Sequence, residues 1–527
     1  MFATQLINRL LISTGKGSSN KYYSGINQLI NIQNSKLLSY LLENQDTVYG
    51  KKYHFAAITN YAEYAAALPL IEDWQQVENF VQRVAEGEEN VLYKEKTIGF
   101  EETSGSTGSS RLIPYTKSLK KEFQSGLAVW MLDLKFSFPG LFRGKSYWSL
   151  SPVLKESKFT SGGFRIGMES DADYFNPVVS YLLSKTMAVK ASITGIKDPC
   201  KFYFETLKSL LLTSDLSFIS VWSPTFFLQL NKSLRENWKA LLDEVKLADK
   251  NRYATLVALP TSFTWKEVWP ELACLSCWKD AQAGIWISRM QKILGEVPVQ
   301  GKGLLSTEAI ITVPIKNEAY PALCYRSHFF EFRCTATQTI FLAHQLLEGN
   351  SYEVITTTGG GLYRYCTKDI VKVMGFHKSL PLLTFLGRGN RTSDLVGEKV
   401  SETHLNALIS SLLNDEDLTV EMIFIRPRVF NDAARYIVYI EEDLFITTFK
   451  SWDFLARKLE TLLSSNPYYL QALQTGQLLP MQCQVLEPGF KVILTNYYRN
   501  RKHVKEGDIK LPLLFKADEL TELNHLL

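Results

Sequence analysis

The sequence predicts an α/β fold in two domains, a large one over residues 1–390 and a small one over residues 391–527. Short apolar strands alternate with helical patterns along most of the chain, which is typical of layered α/β architectures. A chain of 527 residues is also too long for one hydrophobic core. A polar joint with two glycines, at residues 387–394, follows a predicted strand over 382–386 and marks the boundary.

The first segment of the chain predicts an amphipathic helix that packs on the body of the protein. It carries leucines and isoleucines between positions 6 and 12 and has no acidic residue before Glu43. A targeting peptide is the alternative, but the segment lacks a long apolar stretch followed by a clear cleavage site. The helix is therefore favoured.

The remaining elements follow from hydrophobic periodicity and turn signals. Helices are predicted at 204–212 and 233–247, and strands at 354–358 and 369–374 flank a turn. In the small domain, Ser401 is expected to cap a helix that runs to residue 413. Strands at 418–425, 436–440 and 482–486, with a helix at 452–463, complete an α+β module.

Composition excludes several classes of function. Lysine and arginine number 58 against 54 aspartates and glutamates, so the net charge of +4 gives no field suited to nucleic acid. No apolar stretch is long enough to predict a membrane span. Seven cysteines, an odd number, argue against a disulfide framework and favour the reducing cytoplasm. Cys274 and Cys277 form a CxxC without further zinc ligands, so buried structural positions are favoured for both.

Residues 103–111, Thr-Ser-Gly-Ser-Thr-Gly-Ser-Ser-Arg, predict a loop that binds a polyphosphate. Glycines let the backbone approach a ligand closely, and hydroxyls and backbone N–H groups donate to phosphate oxygens. Arg111 adds a planar cation. A flexible Ser/Gly linker is the less favoured alternative, because linkers seldom carry such an arginine. The loop is not a Walker A motif, and the stretch Gly295 to Gly303 around Lys302 has the wrong spacing for one.

Two further motifs follow the loop in sequence. They are Leu305-Ser306-Thr307-Glu308-Ala309 and Gly361-Leu362-Tyr363-Arg364-Tyr365-Cys366-Thr367-Lys368-Asp369-Ile370-Val371. In this order, the three motifs resemble those of the acyl-adenylate-forming superfamily of firefly luciferase and the acyl-CoA synthetases. The stretch before Asp369, with Phe329-Phe330-Glu331-Phe332 upstream, resembles the auxin-responsive acyl-acid amido synthetases. The resemblance runs from about residue 30 to residue 515.

This resemblance implies a fold and a reaction. The large domain would be an adenylate-forming domain of α/β subdomains with a β-barrel portion, and the small α+β domain would be a mobile lid. The enzyme would use ATP and Mg²⁺ to convert a carboxylic acid into an acyl-adenylate. It would then transfer the acyl group to the amine of an amino acid. The partners implied are therefore an acyl acid and an amino acid.

The resemblance also assigns roles to individual residues. Glu308 would bind Mg²⁺, Asp369 would bind the ribose hydroxyls, and Tyr363 would border the adenine; an ion pair between Asp369 and Arg364 is the structural alternative. The nucleotide-binding set is Thr103, Ser104, Gly105, Ser106, Thr107, Gly108, Arg111, Thr307, Tyr363, Arg364 and Asp369.

Two lysines and a set of mostly aromatic pocket residues complete the candidate site. Lys399, just past the joint, matches a nucleotide-contacting lysine of the family, and Lys510 matches its C-terminal lysine-containing motif. Either could neutralise charge that develops at the acyl-phosphate; exposed surface positions are the alternative. The acid pocket is predicted to include Val221, Trp222, Phe226, Tyr325 and Phe330, although aromatic stripes more often belong to a core. Lys368 stands where the family has a glycine.

Two alternatives remain open at this point. The chain could transfer its acyl group to CoA or to a carrier thiol, or it could be a non-catalytic protein that senses ATP. The sequence leaves the acid, the amine and the oligomeric state undetermined, because pocket shape rather than a motif sets specificity.

Overall fold

The computed structural model describes residues 2–103, 111–149, 158–167, 177–196, 198–389, 391–396, 398–416, 418–430, 433–443, 452–502, 509 and 511–527. It divides into two compact units. The first comprises Met1–Trp278 with Ile293–Phe385, and the second comprises Lys279–Lys292 with Leu386–Leu527. The second unit therefore includes a short segment from the middle of the chain, which the sequence did not indicate.

The α-helices of the first unit are mostly amphipathic and cover its sheets. They are α1 (Phe2–Ser24), α2 (Leu29–Asn44), α3 (Val48–Lys52), α4 (Tyr61–Ala67), α5 (Gln75–Ala85), α6 (Lys117–Ser137), α7 (Pro177–Thr186), α8 (Pro199–Leu211), α9 (Pro224–Glu236), α10 (Trp238–Ala248), α11 (Lys250–Val257) and α12 (Trp265–Val268). Another helix, α13 (Ile287–Leu294), begins in the second unit and ends in the first.

The first helix packs on the body of its unit, as the sequence predicted. The side chain of Asn8 donates to the carbonyls of Phe142 and Gly144 at 3.1 Å each. Near the end of α1, the Tyr23 hydroxyl donates to Asp133 on α6. These contacts fix both halves of the helix. Among the described residues, no helix is long and apolar enough to cross a membrane.

Three sheets form the framework of the first unit. Their strands are β1 (Thr97–Glu102), β2 (Leu112–Thr116), β3 (Lys145–Trp148), β4 (Lys158–Phe159), β5 (Arg165–Ile166), β6 (Leu216–Ser220), β7 (Cys274–Cys277), β8 (Val299–Gly301), β9 (Thr312–Val313), β10 (Ala322–Leu323), β11 (Phe329–Cys334), β12 (Ile340–Leu342), β13 (Ser351–Thr357), β14 (Tyr365–His377) and β15 (Leu380–Arg388). The last strand, β15, runs across the boundary into the second unit.

Strand order distinguishes the three sheets. One has the order β2-β1-β5-β4, and a second, parallel sheet has the order β3-β6-β7-β8. The third has seven strands in the order β12-β11-β13-β14-β15-β10-β9, with β12 and β9 at its ends. Cys274 and Cys277 lie within the central strand β7, and both are fully buried, in agreement with the structural positions favoured for them.

The second unit is an α+β module. Its elements are β16 (Thr392–Ser393), β17 (Val400–Ser401), α14 (Glu402–Asp415), β18 (Val420–Phe430), β19 (Ala433–Glu442), α15 (Trp452–Leu463), α16 (Pro467–Gln474), β20 (Leu478–Val485) and α17 (Phe490–Lys502). The Ser401 side chain accepts from the His404 N–H, so the predicted helix cap is confirmed. Arg289 joins the segment 279–292 to this unit through Glu421 at 2.6 Å and Asp443 at 2.7 Å.

One predicted helix proves to be two. The stretch 233–247 is interrupted at Asn237, where α9 ends and α10 begins. The Asn237 side chain donates to the carbonyl of Ser233 at 3.0 Å, and this local hydrogen bond competes with continuation of the helix. Periodicity alone did not reveal the break, because both helices bury apolar residues at helical spacing.

Candidate active site

The predicted phosphate loop lies at the end of the antiparallel hairpin β1–β2. The Thr103 N–H donates to the Arg111 carbonyl at 2.9 Å, and the Arg111 N–H donates to Thr103 Oγ1 at 3.3 Å. These two bonds hold the ends of the loop together. The predicted ligands between them, Ser104, Gly105, Ser106, Thr107 and Gly108, lie outside the described residues.

Arg111, Tyr365 and Glu308 meet beside this hairpin. An Arg111 Nη1–H donates to the Tyr365 hydroxyl at 2.9 Å, and that hydroxyl lies 3.5 Å from Glu308 Oε1. The Arg111 guanidinium also lies 5.8 Å from the centre of the Trp74 ring. Tyr365 and Glu308 are 3% and 6% exposed, so this arrangement is largely shielded from water. Arg111 and Glu308, a cation and a carboxylate from two of the predicted motifs, thus both contact the Tyr365 hydroxyl.

Tyr365 was missed by the sequence analysis, which chose Tyr363 from the same motif. Tyr365 begins β14, whereas Tyr363 precedes the strand, and alternation does not distinguish two residues that are two positions apart. A second hydrogen bond joins the hairpin to the segment of Glu308. In it, the Tyr115 hydroxyl of β2 donates to the Thr307 carbonyl at 2.8 Å. The β1–β2 hairpin therefore contacts both the Thr307-Glu308 pair and the start of β14.

A buried network of polar side chains contacts the chain two residues after Glu308. The His328 Nε2 atom accepts the Ile310 N–H at 3.1 Å, and Nδ1 lies 2.9 Å from a Glu122 carboxylate oxygen. Burial lowers the pKa of His328, so the ring is neutral and its Nε2 atom can accept. Burial alone would raise the pKa of Glu122, but Lys36, His328 and Tyr40 together lower it, so this carboxylate is charged.

Glu122 also fixes the turn that leads into the third motif. Its Oε2 atom accepts the Gly359 N–H at 3.1 Å, while the Thr116 hydroxyl donates to the Gly359 carbonyl at 2.8 Å. A Cβ atom at position 359 would lie 2.8 Å from the Ser118 Cβ and 2.9 Å from Glu122 Oε1. The close approach of this turn to the start of α6 therefore requires a glycine.

Arg364 has several protein partners in this structure, and its assignment to the nucleotide stays a prediction. Its Nη2 atom lies 2.8 Å from Glu331 Oε1, and Nη1 donates to the carbonyls of Ala65 and Leu68 at 2.9 and 2.7 Å. Its side chain is buried, and it holds β11, α4 and β14 together. The predicted Asp369–Arg364 ion pair is not formed, since Glu331 is the carboxylate that pairs with Arg364.

Tyr363 lies in the hydrophobic core of the structure, and its place beside the adenine stays a prediction. It is fully buried, and its hydroxyl donates to the Leu92 carbonyl at 3.0 Å. Its ring stacks on Tyr49 with centroids 5.2 Å apart and meets the edge of Phe55. Tyr49 therefore covers one face of the ring, and the side chain as a whole is shielded from solvent.

Asp369 and Lys368 lie on β14, beyond Tyr365. Asp369 is 2% exposed, and its N–H donates to Thr367 Oγ1 at 3.2 Å. Lys368 keeps the left-handed conformation that suits a glycine, with φ of 65°, and its ammonium lies 3.5 Å from Glu353. The lysine thus preserves the backbone turn, and its charge has a protein partner.

Four of the five residues predicted for the acid pocket are buried, and the pocket stays a prediction. Trp222 follows β6 and is half-buried, whereas Val221 and Phe226 are buried beside it. Tyr325 and Phe330 are fully buried in the neighbourhood of the seven-stranded sheet. Gln33 contacts the backbone of both, through a donated bond to the Tyr325 carbonyl at 2.6 Å and an accepted bond from the Phe330 N–H at 2.9 Å. Of these five residues, only Trp222 presents surface to a ligand.

The two predicted lysines remain predictions. Lys399 is exposed in the second unit, has φ of 50°, and lies 5.6 Å from the Tyr468 ring. Lys510 lies outside the described residues. The mobile-lid role of the small domain also stays a prediction.

Comparison with known proteins places these features in a family. Residues 20–259 match the model of the GH3 family N-terminal domain, and residues 322–388 match that of the GH3 family central domain. Together these matches cover more than half of the chain.

Curated relatives and solved structures agree with these matches. Indole-3-acetic acid-amido synthetase GH3.4 of Arabidopsis thaliana is 22% identical over 82% of this chain and 78% of its own length. Jasmonoyl--L-amino acid synthetase JAR4 of Nicotiana attenuata is 21% identical over 78% of each chain. The structure of AtGH3.15 acyl acid amido synthetase in complex with 2,4-DB has the same fold, with a TM-score of 0.81 at 19% identity over 98% of this chain and 95% of that one. The predicted adenylate-forming fold is therefore confirmed, and the chain belongs to the GH3 family.

Proposed function

We propose that this protein is an acyl-acid amido synthetase, which activates a carboxylic acid with ATP and joins it to an amino acid. The observation that carries the proposal is the contact of Arg111 and Glu308 with one hydroxyl, that of Tyr365, beside the hairpin that bears the glycine- and hydroxyl-rich loop. Membership of the GH3 family supports the same reaction.

The chemistry requires charge neutralisation and positioning. A carboxylate oxygen attacks the α-phosphorus of ATP, the bond to the bridging oxygen breaks, and pyrophosphate leaves. The amine nitrogen then attacks the acyl carbon, AMP leaves, and the nitrogen loses a proton. Arg111 would neutralise the departing phosphates, and Asp369 would bind the ribose hydroxyls. Tyr365 would hold the side chains of Arg111 and Glu308 in fixed positions relative to each other.

Glu308 fits a magnesium ion that is shared with the phosphates. Mg²⁺ is held by one or two carboxylates together with phosphate oxygens and water. Among the described residues, no cluster of three or more metal-binding side chains exists, so a dedicated all-protein site is not indicated there. The ion would supply charge neutralisation on the phosphates, with Glu308 as its protein ligand.

The names of the relatives favour an amine over a thiol as the acceptor. Both curated relatives described above are named as synthetases that join an acid to an amino acid, and they differ in the acid. The acids to be tested therefore include aromatic and aliphatic ones. None of the seven cysteines, all of which lie among the described residues, forms a disulfide, which supports a reducing cytoplasm as the location.

The deciding experiment measures pyrophosphate release from ATP and Mg²⁺ across such a panel, with and without amino acids or CoA. We expect release that depends on one acid and amide formation that depends on an amino acid. Glu308→Ala and Asp369→Ala should each lower release at least about a hundredfold. The exposed control Glu348→Ala should leave it unchanged.

Each alternative has its own outcome in this assay. Stimulation by CoA with a thioester product would identify an acyl-CoA synthetase instead. ATP binding without pyrophosphate release for any acid would identify an ATP sensor. Lys399→Ala tests the predicted lysine separately, with loss of release expected if its ammonium acts on the acyl-phosphate.

A further inference from the structure

Lys399 has a backbone conformation that is costly for a lysine. It directly precedes β17, its φ is 50°, and its side chain is exposed. A left-handed residue with a Cβ atom is strained, whereas a glycine takes this conformation at no steric cost. Strained residues of this kind cluster where function requires a particular geometry. The position therefore carries a lysine against the preference of the backbone, and the lysine side chain is the feature to explain.

Glu398, the residue before it, is a fully buried carboxylate that organises the turn between β16 and β17. Its oxygens accept the Leu395 N–H at 3.0 Å and the Val396 N–H at 2.8 Å. The Tyr436 hydroxyl of β19 donates to the same carboxylate and lies 2.6 Å from Ser393 Oγ. Burial of a carboxylate is costly unless donors such as these replace water. The side chain of Glu398 thus joins the turn to β19.

The main chain on both sides of Lys399 is also held. The Glu398 carbonyl accepts from Asn466 Nδ2 at 2.9 Å, while Asn466 Oδ1 accepts the Tyr468 N–H at the start of α16. On the other side, the next residue begins β17, which pairs with β16. The backbone at Lys399 is therefore fixed by its neighbours, whereas its side chain remains exposed beside the Tyr468 ring.

A second buried glutamate in the same unit provides a comparison. Glu441 is 4% exposed, and it accepts the Gly489 N–H at 2.7 Å and the Lys491 N–H at 2.6 Å, at the start of α17. Both glutamates thus bind two backbone N–H groups of the second unit. They differ in sequence context, because Glu398 precedes a lysine that is predicted to contact the nucleotide, whereas Glu441 adjoins no predicted site residue in sequence.

We propose that Glu398 is a positioning residue, whose carboxylate holds the backbone at Lys399 so that the lysine ammonium reaches the nucleotide phosphates. The inference rests on the proposed function and on the predicted role of Lys399 in it. This role requires an acceptor oxygen rather than an anion, since the groups to be held in the turn are backbone N–H donors. A glutamine should therefore replace Glu398, whereas a methionine should not.

The first test removes the acceptor at nearly constant length. Glu398→Met and Glu441→Met each leave two backbone N–H groups without their carboxylate, so both should lower the melting temperature. We expect only Glu398→Met to lower kcat for pyrophosphate release, by about tenfold or more, since a small misplacement of a reacting group has effects of this size. Glu398→Gln should recover most of the rate. Equal rates for folded Glu398→Met and Glu441→Met would overturn the proposal.

A double variant tests whether Glu398 acts through Lys399. Lys399→Ala alone should lower kcat, and adding Glu398→Met should cause no further loss, because no ammonium is left to position. Losses that multiply would overturn the proposal, as would a Lys399→Ala enzyme with the kcat of the wild type. If Glu398→Met does not fold, Tyr436→Phe removes one donor to the carboxylate. A loss of about threefold that disappears in the Lys399→Ala background would then support the role, and an unchanged kcat would overturn it.

A labelling measurement separates this proposal from the proposed function. An amine-reactive acetylating reagent is applied with and without ATP and Mg²⁺, and acetylation of Lys399 is followed by mass spectrometry. We expect ATP to protect Lys399 in the wild type and in Glu441→Met but not in Glu398→Met, with the exposed Lys239 of α10 labelled equally throughout. This pattern would support the positioning role even if no acid gave pyrophosphate release. Equal protection in wild type and Glu398→Met, or none in either, would overturn it even if adenylation occurred.

Discussion

The Nε2 atom of His328 accepts a hydrogen bond of 3.1 Å from the backbone N–H of Ile310, two residues after Glu308. On its other side, the ring faces Glu122, which accepts the N–H of Gly359. One buried pair thus links the segment of Glu308 to the turn that precedes Tyr365. The geometry of the candidate site depends on this pair, although neither residue lies in a predicted motif.

Removing the acceptor at position 328 should reduce activity. We expect His328→Met to lower kcat for pyrophosphate release about tenfold, because the buried Ile310 N–H would lose its partner and shift Glu308. His328→Gln, which can place an oxygen in the same region, should recover part of the rate. The exposed control His344→Met should behave as wild type. Equal losses in the methionine and glutamine variants would contradict this positioning role.

Two neighbouring tyrosines should respond differently to loss of their hydroxyls. Tyr365→Phe removes the group between Arg111 and Glu308, so pyrophosphate release should fall about tenfold while thermal stability changes little. Tyr363→Phe removes a buried hydrogen bond to the Leu92 carbonyl, so it should lower the free energy of unfolding by about 1 kcal/mol and leave kcat unchanged. Rate assays with thermal melts of both variants check this, and the reversed pattern would contradict the assignment.

Breaking the Arg364–Glu331 pair should destabilise the protein. Arg364→Met leaves a carboxylate that is 1% exposed without its partner, so the free energy of unfolding should fall by about 3–5 kcal/mol. Denaturant unfolding measures this loss. For comparison, Lys208→Met removes an exposed ion pair with Glu244 and should cost less than about 1 kcal/mol. A raised KM for ATP in Arg364→Met at full stability would instead support the predicted nucleotide role.

Asp133 should make the stability of the protein depend on pH. Burial raises its pKa from 3.8 to about 6. In the unfolded chain the carboxyl loses its proton at lower pH than in the folded protein. The free energy of unfolding therefore falls as pH rises from about 4 to about 6, and the loss persists above that range.

Asp133→Asn keeps an oxygen that can accept from Tyr23 but has no charge to bury. We expect it to be about 2 kcal/mol more stable than wild type at neutral pH. The gain should shrink towards pH 4, where the wild-type carboxyl is protonated in both states. Denaturant unfolding of both proteins across this range measures the difference. A gain that does not change with pH would show that ionisation is not its cause.

The sequence by itself determined the features that depend on local pattern. Hydroxyls and glycines at residues 103–111 predicted the phosphate loop, and the order of three motifs predicted the adenylate-forming fold. Ser401 predicted the start of α14, since a helix cap depends on residues that are close in the chain. The fold and the helix cap are confirmed, because motif and cap chemistry act over a few residues, whereas the phosphate loop stays a prediction.

Tertiary structure decided which members of a motif reach the candidate site. Tyr363, Arg364 and Tyr365 are adjacent in sequence, yet two support the core and the third contacts Arg111, 254 residues away. Packing also sets the surroundings of Lys302, because strands that are distant in the chain bring Trp148, Ser220 and Trp222 together around its ammonium. Burial and partner choice arise from packing between distant segments. A pattern of neighbouring residues therefore indicates the chemistry, and packing selects the side chains that perform it.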